Sequence, residues 1–327
     1  MKRLLPVVVI GIVILLVACY FIPVKHEKQV FVANTFQNII SSVSEPKNWM
    51  RWNQDIMAAW QKDSTHCTIT NDSAKHIFTL ATPDEQSIKV TQLNALLYQV
   101  ELVTNKQTTA VFGFTIVPFV GNNQQQSQHN SRIAYAFTGN LLFYLLPFLE
   151  PHSFADKTIE ELRAYMESNL RFYGYNIALK QTTDTIFVTQ NESCKSQEVF
   201  NKLPTLFNNL QTFAQKKQVL STGVKNVAYT FLNNDSVYVV AGININKLVE
   251  GEFVTNIMQF PPTQILAVGH FEGLYKNRLA LYKAMQAYLT DHQLQLIGAC
   301  YEQYLSPLPT NENDSIKIDL CYPLRQY

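Results

Sequence analysis

Gly298-Ala299-Cys300-Tyr301-Glu302-Gln303-Tyr304 is the stretch on which the fold of the C-terminal half turns. A glycine opens it and polar and aromatic residues then alternate. If it is a strand, Cys300, Glu302 and Tyr304 share one face and Tyr301 and Gln303 the other. A loop over 306–314 leads from it to a second alternating run, 315–322. The stretch has an earlier copy. Gln218, Val219, Gly223 and Tyr229 stand 75 positions before Gln293, Leu294, Gly298 and Tyr304.

The surroundings repeat as well. A strand over 185–190 precedes a helix over 197–216, which lines up Val199, Leu203, Leu206, Leu210 and Phe213. Strands over 222–232 and 236–245 follow, joined by an Asn-Asn-Asp turn. In the second copy the strand is 265–270. The helix, 274–292, carries Leu281, Ala284, Met285, Tyr288 and Leu289, and the closing strands are 297–305 and 315–322. Two β-α-β-β units predict two helices on a shared antiparallel sheet, with a groove where the units meet. Tyr229 is then placed across the pseudo-axis from Tyr304.

The N-terminal half has another order. A strand over 27–33 leads to Asn34, expected to cap a helix with Phe36, Ile39, Ile40 and Val43 on one face. Glu45-Pro46-Lys47-Asn48 breaks that helix, and Trp49, Trp52 and Asn53 follow. Strand-like runs then cover 65–70, 76–81, 87–92, 96–103, 109–117 and 131–138, with turns at 71–73, 82–84 and 121–123 and an exposed Gln124-Gln125-Gln126 loop. Helices are expected over 141–149 and 154–172. This order predicts a curved antiparallel sheet around a long C-terminal helix, with an apolar cavity between them. The Trp pair reads as packing of the helix turn or as a lid over that cavity. Met50 and Met57 read as core or as the cavity mouth.

The first residues set a separate problem. Lys2 and Arg3 precede an uncharged run from Leu4 to Ile22, and charges resume at Lys25. The run is long enough to predict a membrane-spanning helix. The two early cations place the N-terminus in the cytoplasm and the bulk of the chain outside it. Leu16-Val17-Ala18-Cys19 also fits a loose lipobox, making a lipoprotein lipidated at Cys19 the second reading and a cleaved signal peptide the third.

Composition excludes several classes. The 327 residues are 47% hydrophobic, enough for a large core, and the net charge is +1 with no basic run, so no nucleic-acid partner is expected. The five cysteines and seven histidines are scattered without metal-ligand spacing, so no metal or cofactor is expected. Cys300 and Cys321 lie on strands expected to pair, which leaves a disulfide open alongside two free thiols.

Two resemblances add to this reading. Residues 27–173, through the first strand, its helix and Glu45-Pro46-Lys47-Asn48-Trp49-Met50-Arg51-Trp52-Asn53, resemble the START-like polyketide-cyclase superfamily (SRPBCC). Residues 175–327 resemble the GyrI-like, effector-binding domain. The residues that carry it are Gly298 through Tyr304, Pro307, Ile316 through Leu324, and Gly269-His270-Phe271-Glu272-Gly273-Leu274-Tyr275. The expected fold class is therefore α+β: a transmembrane helix (1–24), a helix-grip domain (25–173) and a duplicated β-α-β-β domain (174–327). The second resemblance implies a ligand groove in which Glu302 meets a flat lipophilic cation, flanked by Tyr304, Tyr229, Tyr301 and Tyr275. A shielded carboxylate favours a cation, and aromatic faces add cation–π attraction. The implied function is membrane-tethered binding or sensing of lipophilic or amphipathic small molecules. One alternative is a hydrolase using Glu302 and a tyrosine, with His270 and Glu272 as the nearest helpers. The other is a non-catalytic scaffold.

Overall fold

The computed structural model describes residues 4–118, 131–142, 153–183, 185–232, 235–252, 255–261 and 263–325. The chain is α+β with two antiparallel sheets and divides into two compact units, Met1–Arg171 and Phe172–Tyr327.

The expected membrane anchor needs correction. Helix α1 runs Leu4–Phe21, 18 residues. At 1.5 Å per residue it reaches about 27 Å, short of a hydrocarbon core of about 30 Å. Strand β1 (Pro23–Val32) takes over directly and removes Ile22 from the helix. Among the described residues no helix is long and apolar enough to cross a membrane. The single-pass topology, its orientation and the localisation derived from it fall with that finding. Cys19, the residue of the lipoprotein reading, lies inside α1.

In the first unit β1 is followed by α2 (Phe36–Ser44), α3 (Pro46–Trp52) and α4 (Gln54–Lys62). Thr35, not Asn34, caps α2, because its hydroxyl accepts from the Asn38 amide while Asn34 is turned to Met166 and Thr35. Pro46 stops α2 and starts α3, where its missing N–H leaves no intrahelical bond unmade. Then come β2 (Thr68–Asp72), β3 (Ile77–Ala81), β4 (Gln86–Gln92), β5 (Leu97–Thr104), β6 (Gln107–Pro118) and β7 (Ser131–Asn140). The sheet order is β1-β7-β6-β5-β4-β3-β2, an antiparallel meander whose last strand returns to the first. Helix α5 (Phe154–Met166) packs on β1, β6 and β7. The helix expected over 154–172 breaks after Met166 and resumes as α6 (Asn169–Tyr173). Trp49 and Trp52 are fully buried, their rings 4.4 Å apart. Each indole N–H donates to a carbonyl at the end of α2, Val43 and Ser42 respectively, so the pair packs the helix turn. The turn and loop expected over 121–126, and most of the helix over 141–149, lie outside the described residues.

The second unit contains β8 (Ile177–Gln181), β9 (Ile186–Lys195), α7 (Val199–Lys216), β10 (Ser221–Phe231), β11 (Ser236–Ile245), β12 (Asn256–Gln259), β13 (Ile265–Leu274), α8 (Leu279–Asp291), β14 (Tyr301–Tyr304) and β15 (Ser315–Pro323). Its sheet order is β12-β9-β11-β10-β14-β15-β13-β8. The inner six strands are two mirrored triplets joined at the β10–β14 pair, so the repeat is structural. The two helices end alike. Gln218 and Gln293, repeat mates, both take the left-handed conformation, at φ 53° and 51°. The next residues, Val219 and Leu294, donate back to Ala214 and Leu289, again mates. Helix α8 lies directly on β13, because an added Cβ at Gly269 would come within 2.6 Å of Met285 Sδ.

Three strands depart from expectation. β8 and β12 are short edge strands at opposite ends of the sheet. The strand expected over 297–305 shrinks to Tyr301–Tyr304. Leu296 makes a lone bridge to Leu324 and Ile297 bonds Pro323 O, which leaves Gly298 and Ala299 outside the β14 ladder.

Candidate functional site

β10 and β14 pair with Val227 opposite Glu302 and Lys225 opposite Tyr304. Alternation sends Glu302 and Tyr304 to the face covered by α7 and α8, and Tyr301 to the other face. Four of the five residues expected at the site therefore gather. Glu302 has no exposed surface, and Tyr304, Tyr275 and Tyr229 surround it. Tyr304 Oη donates to Glu302 Oε2 at 2.6 Å, and the Tyr229 and Tyr304 hydroxyls lie 3.1 Å apart across the pseudo-axis.

Sequence reasoning missed two members of this cluster. Arg278 Nε donates to Glu302 Oε1 at 2.8 Å, and Tyr282 Oη donates to the same oxygen at 2.8 Å. The cation that the carboxylate was expected to take from a ligand is supplied by the chain itself. Arg278 sits at the start of α8, where the helix dipole disfavours a positive charge, and Glu302 offsets this. Its guanidinium lies 3.5 Å from the Tyr275 ring centroid and also donates to Tyr275 O. Tyr275 is itself buried and packs edge-on against Phe200.

The electrostatics follow from burial. Burial works against the charge of Arg278, but Glu302 outweighs it and holds the guanidinium's pKa above its ordinary value. Burial and the negative charge of Glu302 push Tyr229 and Tyr282 far up, and burial does the same to Tyr304. All three stay protonated donors at neutral pH. Glu302 is held by three internal donors, Arg278 and Tyr282 on Oε1 and Tyr304 on Oε2.

The repeat explains the cluster's composition. The mates of Glu302, Arg278 and Tyr282, 75 positions earlier, are Val227, Leu203 and Phe207. Val227 is 0% exposed, Leu203 1% and Phe207 2%. One copy fills this place with an apolar set, and the other fills it with an ion pair and a hydroxyl.

The opposite face of the sheet holds a cavity of about 150 Å³. Across it, Thr189, Gly242 and Asn226 form one transverse row on β9, β11 and β10. Tyr301 projects into the same space. Phe260 stacks on Tyr301 with ring centroids 6.4 Å apart, and Phe187 meets Phe260 edge-on at 5.4 Å. Gly298 and Ala299 form the mouth, where the shortened β14 leaves room. Among the described residues, no charged side chain lines the cavity.

The remaining candidates lie apart. His270 and Glu272 alternate with buried Phe271 and point away from Glu302. His270 pairs with Asp319 at 2.9 Å and Glu272 with Lys317 at 2.8 Å. Cys300 and Cys321 are free. Cys321 stands opposite Tyr301, so Cys300, one residue before Tyr301, faces the other side of the sheet and the two thiols stay free. In the first unit, Met50 and Met57 are not among the described residues that line the cavity of about 310 Å³ beside α4.

No protein-family model and no curated protein matches the chain. Solved structures do. EcmrR in a DNA complex matches at 11% identity over 57% of this chain and 76% of its own, with a TM-score of 0.39. The EcmrR C-terminal domain matches at 13% over 47% of this chain and 99% of its own, TM-score 0.37. A Listeria innocua hydrolase matches at 10% over 46% and 92%, TM-score 0.35.

Proposed function

We propose that the second unit binds a small, flat, uncharged lipophilic molecule in the aromatic-walled cavity on the open face of its sheet. The observation that carries this is the cavity itself: about 150 Å³, three aromatic rings and, among the described residues, no charged wall. An apolar cavity of that order holds one small aromatic ring system. A charged ligand would lose its hydration there without a partner. The Glu302 cluster acts as the clamp that joins the repeats, since its cation is Arg278.

The test is thermal melting of the full chain with indole and with the cation tryptamine. Indole is expected to raise the melting temperature and tryptamine to leave it unchanged. Stabilisation by tryptamine that disappears in Glu302→Gln would instead make the Glu302 cluster the ligand seat.

For the first unit the SRPBCC-like cup is kept as a second proposal. It is supported by a cavity of about 310 Å³ between α4, the β3–β5 region and Phe154. Ala59→Trp, which fills that space, is expected to abolish binding of a neutral amphiphile. Unchanged binding would remove the reading.

A further inference from the structure

Gly242 stands inside β11, between β9 and β10, and lines the cavity. A glycine in the interior of a central strand weakens it. The backbone does not demand one here, because its φ is not positive. Close packing does not demand one either. The nearest atoms to an added Cβ are Thr189 Cγ2 at 3.2 Å, Val188 O at 3.7 Å and Asn226 O at 4.0 Å, all on the two flanking strands. A small movement of one methyl group admits that Cβ, which would then stand in the cavity. The repeat shows what the position carries otherwise. Gln303 and Lys317 stand 75 positions after Ala228 and Gly242. Glu272 faces Lys317 across β13 and β15 as Thr189 faces Gly242 across β9 and β11. The second copy thus has Glu272, Lys317 and Gln303 on the open face where the first has Thr189, Gly242 and Ala228. The three short residues line the cavity, and the Glu272–Lys317 ion pair, at 2.8 Å, crosses the equivalent place. The cavity lies where side chains have been shortened, and at Gly242 the shortening is complete.

We infer that Gly242 determines the size of the ligand: the depth over it admits a fused two-ring molecule, and a single methyl group there restricts the site to one ring. This rests on the cavity being the binding site, and it adds the ligand's size class and the residue that sets it. A close-packed wall discriminates at the level of one methylene, so one missing side chain is enough.

Calorimetric titration of the full chain and of Gly242→Ala with indole and with benzene tests the inference. The parent protein is expected to bind indole about tenfold more tightly than benzene, because the second ring buries further apolar surface. Gly242→Ala is expected to lower indole affinity by about tenfold or more and to change benzene affinity less than about threefold. Indole binding unchanged in Gly242→Ala, equal losses of both ligands, or a parent protein that prefers benzene overturns the size selection and leaves the cavity reading standing. A parent protein that binds neither overturns both. The melting temperature of the unliganded variant guards against a purely structural effect. It is expected to be no lower than the parent's, since alanine suits a strand better than glycine. A marked drop would show that the glycine serves the strand itself, and it too overturns the inference.

Discussion

Glu302 stands directly opposite Val227, its own equivalent in the other repeat. The pseudo-twofold axis of the second unit therefore passes through this pair. At the axis the two copies have diverged most sharply in chemistry: Val227 and Leu203 in one, Glu302 and Arg278 in the other.

That divergence predicts a stability pattern. Glu302→Ala leaves the Arg278 charge buried and unpaired and should cost about 3–5 kcal/mol. Glu302→Val with Arg278→Leu copies the first repeat and should recover most of the loss, since replacing a buried ion pair by apolar residues is often neutral. Denaturant unfolding of the two variants measures it. A double variant as unstable as the single one contradicts the account.

A pH effect is expected in the first unit. Burial raises the pKa of Asp156, but hydrogen bonds from Tyr135, Lys28 and Ser153 outweigh it and hold the carboxyl below its ordinary value. The unfolded chain therefore binds this proton first as pH falls from about 3.9. The contribution is complete above that pH and is lost as pH drops through the lower folded pKa. Asp156→Asn should flatten the acid limb of the stability curve. An unchanged limb would show that the cluster does not act through its charge.

The thiols give a third expectation. Burial and the nearby Asp319 push Cys321 up to about 12. The thiolate is the reactive form, so iodoacetamide at pH 8 should leave Cys321 unmodified in the folded protein and label it after unfolding. Since the unfolded thiol ionises first, Cys321 also makes stability fall as pH rises above about 8.5. Rapid labelling of Cys321 in the native state would contradict its placement under Tyr301.

Much of the second unit was legible because apolar residues recur every helical turn and the copies align at Gly223/Gly298 and Tyr229/Tyr304. The alignment was not carried back through the helices, where Leu203 and Phe207 would have met Arg278 and Tyr282. A charge where the other copy has a buried leucine is the signal that would have found the Glu302 partner. β8 and β12 escaped because four- and five-residue edge strands show too little alternation. The cavity escaped for a different reason. It exists only because Leu296 and Ile297 pair with the end of β15 and pull Gly298 and Ala299 out of the ladder, a competition between strands that alternation cannot reveal. The anchor was misjudged because counting apolar residues ran past Phe21, where the backbone turns to strand.

The central claim, a ligand seat on the open face of the sheet, is tested most directly by one pair of variants. Gly298 lines the cavity and nothing lies within 4 Å of a Cβ added there, so Gly298→Leu adds bulk at this wall with no clash at Cβ. Tyr282→Phe removes a hydroxyl from the Glu302 cluster and restores the residue type of its mate, Phe207. Indole affinity should fall at least tenfold in Gly298→Leu, about 1.4 kcal/mol, and stay unchanged in Tyr282→Phe. Binding kept by Gly298→Leu and lost by Tyr282→Phe would put the ligand at Glu302 instead.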